Sequence, residues 1–310
     1  MNNESSNSGA SDAGRHGSAA GAMMRRLLPL TVWLCSDTSA TAETANNPNH
    51  GGGGADTTED EYCPLHRRTV GHQLARHLIT ACTREGDLVA EAYTTSEATL
   101  AAAAGLGRRA VACVPDFPLA RRIRARLDAT VPHEVAALAA MRPCRPDQMA
   151  RGLADHLGQV ELVIAAPPPY QHDGQTRRAC AGDRCPVCRT GFWMNSQERF
   201  RSFMAAAWQV LRPGGRLAVI TTARHEHGRL VDAAPRIIGE AAGLRFRYVQ
   251  HIIAVRVPVE GDTLVVQTDP RGLAQLRDVR SRALPPVARV HADVCLFTKP
   301  AGHPGRDGDR

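Results

Sequence analysis

Between residues 73 and 165 the sequence alternates two kinds of apolar pattern, and that alternation most constrains the fold. Leu74, Leu78, Ile79 and Cys82 recur at helical spacing and predict a helix over 73–83, after which Gly86-Asp87 leads into a strand at 88–92. The same alternation predicts helix 99–106 ended by Gly107, strand 109–114, helix 118–127, a weaker strand near 135–138, helix 147–157 and strand 160–165. Strands that alternate with helices are joined by crossovers, which make the strands parallel and cover both faces of the sheet. The reading is therefore an α/β chain with a doubly wound, Rossmann-like sheet. Beyond an irregular stretch at 167–191 the pattern resumes as helix 197–211, the turn Pro213-Gly214-Gly215 and strand 216–221. Helix 237–242, strands 245–257 and 263–267, and a last strand at 294–299 complete the set.

The flanks read differently. Residues 1–26 are mostly Asn, Ser, Gly and Ala and predict a disordered leader, 38–60 a flexible insert containing Gly51 to Gly54, and 301–310 a disordered tail. Between leader and insert, the apolar island Leu28-Pro-Leu-Thr-Val-Trp33 is expected to dock on the folded body, which spans 27–300. No run approaches the roughly 18–20 apolar residues of a membrane span, and no membrane partner is expected. Arg25-Arg26, the apolar run that follows and Ala40-Thr41-Ala42 mimic a signal peptide. The nine scattered cysteines, an odd number, fit a reducing compartment better, so a cytoplasmic location is expected. Net charge is +7, but the first 61 residues hold eight acids against three arginines, so the remainder carries +12. A body that basic favours a polyanionic partner such as nucleic acid; a coding bias toward Arg over Lys, with Lys299 the single lysine, would give the same excess.

Three segments carry chemistry. Gly86-Asp-Leu-Val-Ala-Glu-Ala-Tyr-Thr-Thr-Ser-Glu-Ala-Thr-Leu100 with Leu106-Gly-Arg-Arg-Ala-Val111 forms a strand, loop, helix and strand. Leu162-Val-Ile-Ala-Ala-Pro-Pro-Pro-Tyr170 is a strand running into a proline loop closed by an aromatic residue. Trp208-Gln-Val-Leu-Arg-Pro-Gly-Gly-Arg-Leu-Ala-Val-Ile220 is a helix, a tight turn and a strand. In this order they resemble the class I S-adenosylmethionine-dependent methyltransferases. Within these, they resemble the amino-methylating branch that acts on exocyclic nitrogens of adenine or cytosine in DNA, and its relatives acting on RNA.

The resemblance spans roughly 27–300 and implies a seven-stranded sheet whose last strand is antiparallel. It implies S-adenosyl-L-methionine as cofactor, held by Glu91, Tyr93, Thr94, Ser96, Thr99 and Asp116. It also implies a catalytic loop at Ala166, Pro167, Pro168 and Tyr170, where a backbone carbonyl accepts from the target amine and the aromatic ring stacks on a flipped base. This sequence departs from the family at several points: the acid expected after the second strand falls near Val114, two residues before Asp116, and that of a third motif is missing from Met141-Arg-Pro-Cys-Arg145. Tyr93-Thr-Thr-Ser-Glu97 replaces a glycine-rich loop, and neither Ala166 nor Pro167 supplies the polar side chain usual before the prolines. The implied function is methyl transfer to amino groups of nucleic-acid bases, DNA before RNA; the alternatives are a nucleic-acid-binding protein of this fold without catalysis, and a methylase of a small molecule or protein.

Cys180, Cys185 and Cys188 form a Cys-Pro-Val-Cys turn with a third cysteine nearby, in a cysteine-containing loop at 171–196. Two thiolates on such a turn face one tetrahedral ion, so zinc is a candidate, with Cys63 or His66 completing the set; a redox dithiol or free thiols are the rival readings.

Overall fold

The structure is a computed structural model that describes residues 31–36, 70–168, 196–226, 229–261, 263–264 and 290–301. Its strands are β1 (Val32–Leu34), β2 (Leu88–Ala92), β3 (Arg109–Cys113), β4 (Ala139–Arg142), β5 (Val160–Ala165), β6 (Leu211–Thr221), β7 (Arg224–Glu226), β8 (Arg229–Val231), β9 (Arg247–Val255), β10 (Val259–Glu260), β11 (Thr263–Leu264) and β12 (His291–Thr298). The helices of eight residues or more are α1 (His72–Cys82), α2 (Ala98–Gly105), α3 (Phe117–Thr130), α4 (Gln197–Val210) and α5 (Ala234–Gly243).

Eight strands form one sheet in the order β1-β9-β12-β6-β5-β2-β3-β4. The seven from β9 to β4 have the arrangement of the Rossmann-like methyltransferase fold: β4, β3, β2, β5 and β6 are parallel, and the final strand β12 inserts antiparallel between β6 and β9. The expected seven strands thus carry one addition. The apolar island ends in β1, which pairs parallel with β9, Val32 opposite Ile253 and Leu34 opposite Val255.

Each face of the sheet has its own core. On one side Leu74, Leu78 and Ile79 of α1, Leu100 to Ala103 of α2, and Leu119, Ile123 and Leu127 of α3 meet the side chains of Val89, Ala110, Leu162 and Ile164. On the other, Phe200, Phe203, Met204 and Ala207 of α4 and Ile237 and Ala241 of α5 meet Ala90, Val111, Val163, Val219 and Cys295. Both faces of the central strands are therefore dry, which is why β2 and β5 are mainly apolar, with Glu91 and Glu161 as their buried acidic residues. Two helix starts follow side-chain capping rules. Asp116 accepts from the Leu119 amide at 3.0 Å with Pro118 in the first turn of α3, and Ser196 accepts from the Arg199 amide at 3.2 Å to open α4.

Two sequence expectations are corrected. The strand expected near 135–138 is a helical turn at His133–Ala136, and the strand follows it as β4. The single helix expected over 147–157 is broken into short turns at Pro146–Gln148, Met149–Gly152 and Ala154–His156. Packing against the sheet, through Met149 and Leu153, overrides the local periodicity there.

The Pro213-Gly214-Gly215 knuckle is built into β6, where pairing with β5 jumps from Val160–Leu211 to Leu162–Arg216. Gly214 has φ +81°, and a Cβ on Gly215 would lie 2.9 Å from the Arg212 carbonyl oxygen and 3.0 Å from that of Val160. Lys299 closes the knuckle from the end of β12: its amide donates to the Gly215 carbonyl, and Gly214 donates to the Lys299 carbonyl. Its ammonium donates to the Trp208 and Leu211 carbonyls, both at 2.7 Å, where the last turn of α4 leaves acceptors unpaired. Among the described residues no helix is long and apolar enough to cross a membrane.

Gly215→Ala should lower the unfolding free energy by about 1–3 kcal/mol, because the added carbon meets backbone rather than a mobile side chain. Urea denaturation reads this as a lower midpoint; a wild-type midpoint would mean the knuckle relaxes freely.

Candidate active site

The parallel strands put their C-terminal ends on one edge, and the direction of winding reverses between β2 and β5. In folds of this class, ligands bind outside such a switch point. The register there is tight, with Glu91 opposite Ile164 and Ala92 opposite Ala165. The loop after β2 and the proline loop after β5 therefore leave the sheet side by side.

Glu91 is 3% exposed. Its Oε1 accepts from the Thr99 hydroxyl at 2.9 Å, while Oε2 has no partner among the described residues. Burial pushes its pKa up from 4.5 to about 8, against hydrogen bonds from Thr99 and Thr94 and with the nearby Glu97 charge acting in the same direction as burial. Near neutral pH, most of this carboxyl is protonated.

Tyr93 follows with φ +61°, a left-handed conformation costing a non-glycine residue about 1–2 kcal/mol. Its ring packs edge-on against Phe203 at 5.1 Å. Its hydroxyl is buried without a partner among the described residues, and burial, with the Asp147 charge, holds its pKa well above 10. The rest of the loop folds inward. The Thr94 hydroxyl donates to the Glu91 carbonyl at 3.4 Å, the Ser96 hydroxyl lies 3.5 Å from the Ala98 amide, and Thr94, Ser96 and Thr99 are all buried.

The other expected residues divide. Asp116 stands three residues beyond β3, half-buried, with Oδ1 engaged in capping α3. The Ala166 side chain belongs to the core on the α1–α3 side, while Pro167 and Pro168 are half-buried. Tyr170 and the candidate zinc ligands Cys63, His66, Cys180, Cys185 and Cys188 lie outside the described residues. Among the described residues no group of three or more His, Cys, Asp or Glu side chains is placed to hold a metal ion. Sequence reasoning missed Phe203 and Asp147; the helical spacing of 197–211 marks Phe203 as core but cannot say which ring it meets.

Two buried polar atoms without partners, the Glu91 Oε2 and the Tyr93 hydroxyl, thus mark the end of β2. Leaving such groups unpaired costs about 1–3 kcal/mol each, so this strand end suits a ligand with polar or cationic atoms. The methionine end of S-adenosylmethionine, with its ammonium and sulfonium, meets that requirement.

No protein-family model matches the chain, and no curated protein matches it in sequence. Solved structures similar in fold include TrmN from Thermus thermophilus, at 14% identity and TM-score 0.44, covering 76% of this chain and 51% of TrmN. They also include the 1,6-didemethyltoxoflavin-N1-methyltransferase of Burkholderia thailandensis with bound S-adenosylhomocysteine, at 13% identity and TM-score 0.40, covering 79% and 81%. A precorrin-6y C5,15-methyltransferase of Geobacter metallireducens is similar at 10% identity and TM-score 0.45, covering 80% and 98%. The strand order itself, rather than any of these likenesses, defines the fold.

The folded state keeps a proton on Glu91 that the unfolded chain releases above about pH 4.5, so the stability this group contributes at low pH is lost as pH rises through about 8. Glu91→Gln should remove that decline. Unfolding free energies measured across this interval should converge at the acidic end and differ by roughly a few kcal/mol at the alkaline end. Parallel curves for wild type and variant would refute the assignment.

Proposed function

We propose that the chain is an S-adenosylmethionine-dependent methyltransferase acting on exocyclic amino groups of nucleic-acid bases, DNA before RNA. The observation that carries this reading is the register of Ala92 against Ala165, which sets the buried acid of β2 beside the proline loop at the switch point of the sheet. When bound, S-adenosylmethionine supplies an electrophilic methyl group on its sulfonium centre. Glu91 then offers its unpaired Oε2 to a cationic group and ionises more readily beside it, since an opposite charge lowers a carboxyl pKa. Tyr93 offers a neutral hydroxyl donor, and Asp116 is the carboxylate nearest the end of β3 for ribose hydroxyls. At the proline loop the backbone carbonyls of 166–168 accept from the target amine, and Tyr170 stacks on the base. Basic charge on the body supports a polyanionic substrate. A zinc ion at Cys180, Cys185 and Cys188, with Cys63 or His66, belongs to the same reading as a brace for the loop after the catalytic strand, and the protein works in the cytoplasm.

Turnover should be slow. Without a side-chain acceptor at the proline loop, about 1–3 kcal/mol of transition-state stabilisation is missing, roughly tenfold to a few hundredfold in rate. A second reading, a nucleic-acid-binding protein of this fold without transfer, is favoured by one observation: Thr94 and Ser96 are folded inward where the methyl donor's backbone contacts are needed.

Calorimetry with S-adenosylmethionine and S-adenosylhomocysteine, paired with radiolabelled methyl transfer to DNA and RNA, separates the two. Weak binding with slow transfer that Tyr170→Ala abolishes is the expected outcome. No binding at millimolar cofactor, with salt-dependent DNA or RNA binding retained, would overturn transfer and leave the second reading.

A further inference from the structure

Cys113 ends β3, and its Cα partner across the sheet is Arg142, the last residue of β4. Immediately afterwards the chain folds back, the Cys144 amide donating to the Arg142 carbonyl at 2.8 Å. The Val114 amide donates to the same carbonyl at 2.9 Å, so the chain at 144 lies against the end of β3, and both cysteines are buried in one core with Tyr93, Met149 and Phe203. Gly152 makes room for the pair, since a Cβ there would fall 2.3 Å from the Cys144 sulfur. Neither thiol is used by the site described above.

The two sulfurs are electrically unequal. The neighbouring Cys113 thiol, helped by the Arg142 guanidinium, holds the Cys144 thiol below its usual pKa, against burial and Asp147. The Cys144 thiol and burial in turn push Cys113 well up, with the Glu91 charge adding to the effect. Cys113 is wholly buried, whereas Cys144 retains 8% exposure. The arrangement is therefore a thiol at the margin of the core backed by a wholly buried one, the order expected of an oxidant-sensitive cysteine and its resolving partner.

We propose that Cys144 is a site of oxidation by small hydroperoxides and that Cys113 resolves it to an intramolecular disulfide. The Cys144 thiolate attacks the terminal peroxide oxygen and the O–O bond breaks. The alkoxide or hydroxide leaves and takes a proton from water, and Cys144 becomes a sulfenic acid. Cys113 sulfur then attacks the Cys144 sulfur; an S–S bond forms, the S–O bond breaks, and hydroxide leaves with the Cys113 proton as water. Two electrons pass from the sulfurs to the peroxide, giving one disulfide, one alcohol or water, and one further water. Because Cys113 precedes Asp116 by only three residues and Cys144 shares a core with Tyr93, the bond would tie together strand ends flanking the candidate site.

The experiment uses the full-length protein, reduced, freed of reductant and exposed to one equivalent of hydrogen peroxide, then alkylated and mapped by mass spectrometry without reduction. A linked peptide pair joining 113 and 144 should appear about tenfold faster than Cys82 or Cys295 is lost; those thiols are pushed up by burial. In Cys113→Ser, dimedone should trap a sulfenic acid on Cys144; in Cys144→Ser, Cys113 should stay alkylatable. Full alkylation of both thiols in the wild type after peroxide, or oxidation of Cys113 undiminished in Cys144→Ser, would overturn the proposal. The wild-type map decides the matter even if neither variant folds.

Discussion

The parallel ladder between β2 and β5, running from Val89 opposite Leu162 to Ala92 opposite Ala165, is the contact on which the remaining structure depends. Parallel pairing requires a crossover from one edge of the sheet to the other, and each crossover lays helices on a face. Helices α1, α2 and α3 cover one face, while α4 and α5 cover the other. The ladder is thereby sealed from water on both sides by the two helical layers. Charge within it acquires unusual properties for the same reason. Glu91 is pushed to a pKa of about 8 chiefly because it sits in a dry layer, and its local hydrogen bonds only partly offset that burial.

At the far side of the sheet, closure is achieved by a different device. β12 runs antiparallel between β6 and β9, so its two neighbours are bonded through both of its edges. Its last residues reach the Pro-Gly-Gly knuckle, where Lys299 satisfies carbonyls at the end of α4 and pins β6 to the chain terminus of the fold. The ammonium also lies 5.3 Å from the centre of the Trp208 ring, so the single lysine is held by carbonyls and an aromatic face together. Partial burial lowers its pKa, which is the cost of placing a cation there.

The site combines a scaffold geometry set by strand register with a loop that fills it from within. Backbone register delivers the acid and the proline loop to adjacent positions, but the side chains at 93–97 turn back on themselves: Tyr93 onto Phe203, and Thr94 onto the Glu91 carbonyl. At the end of β2 the Glu91 Oε2 and the Tyr93 hydroxyl are left without partners among the described residues. That pair gives the strand end its chemical character, since both are buried and both can form one more hydrogen bond.

Much of the architecture was legible because parallel strands buried on both faces are mainly apolar rather than alternating, and the helices between them repeat Leu and Ile at helical spacing. The runs at 88–92 and 160–165 and the stripe Leu74, Leu78, Ile79 and Cys82 carry that information by themselves. So do the acid at 91 and the prolines after 166 as candidate site residues. Only the tertiary structure decided that β1 joins the sheet beside β9, that 147–157 breaks into short turns, and that Asp116 caps α3. Equally, nothing in the sequence places Cys113 against Cys144 or Tyr93 against Phe203. Periodicity reports which face of an element is buried, a local property; which side chain waits on the other side is set by strand order and register, and those emerge only when distant segments pack together.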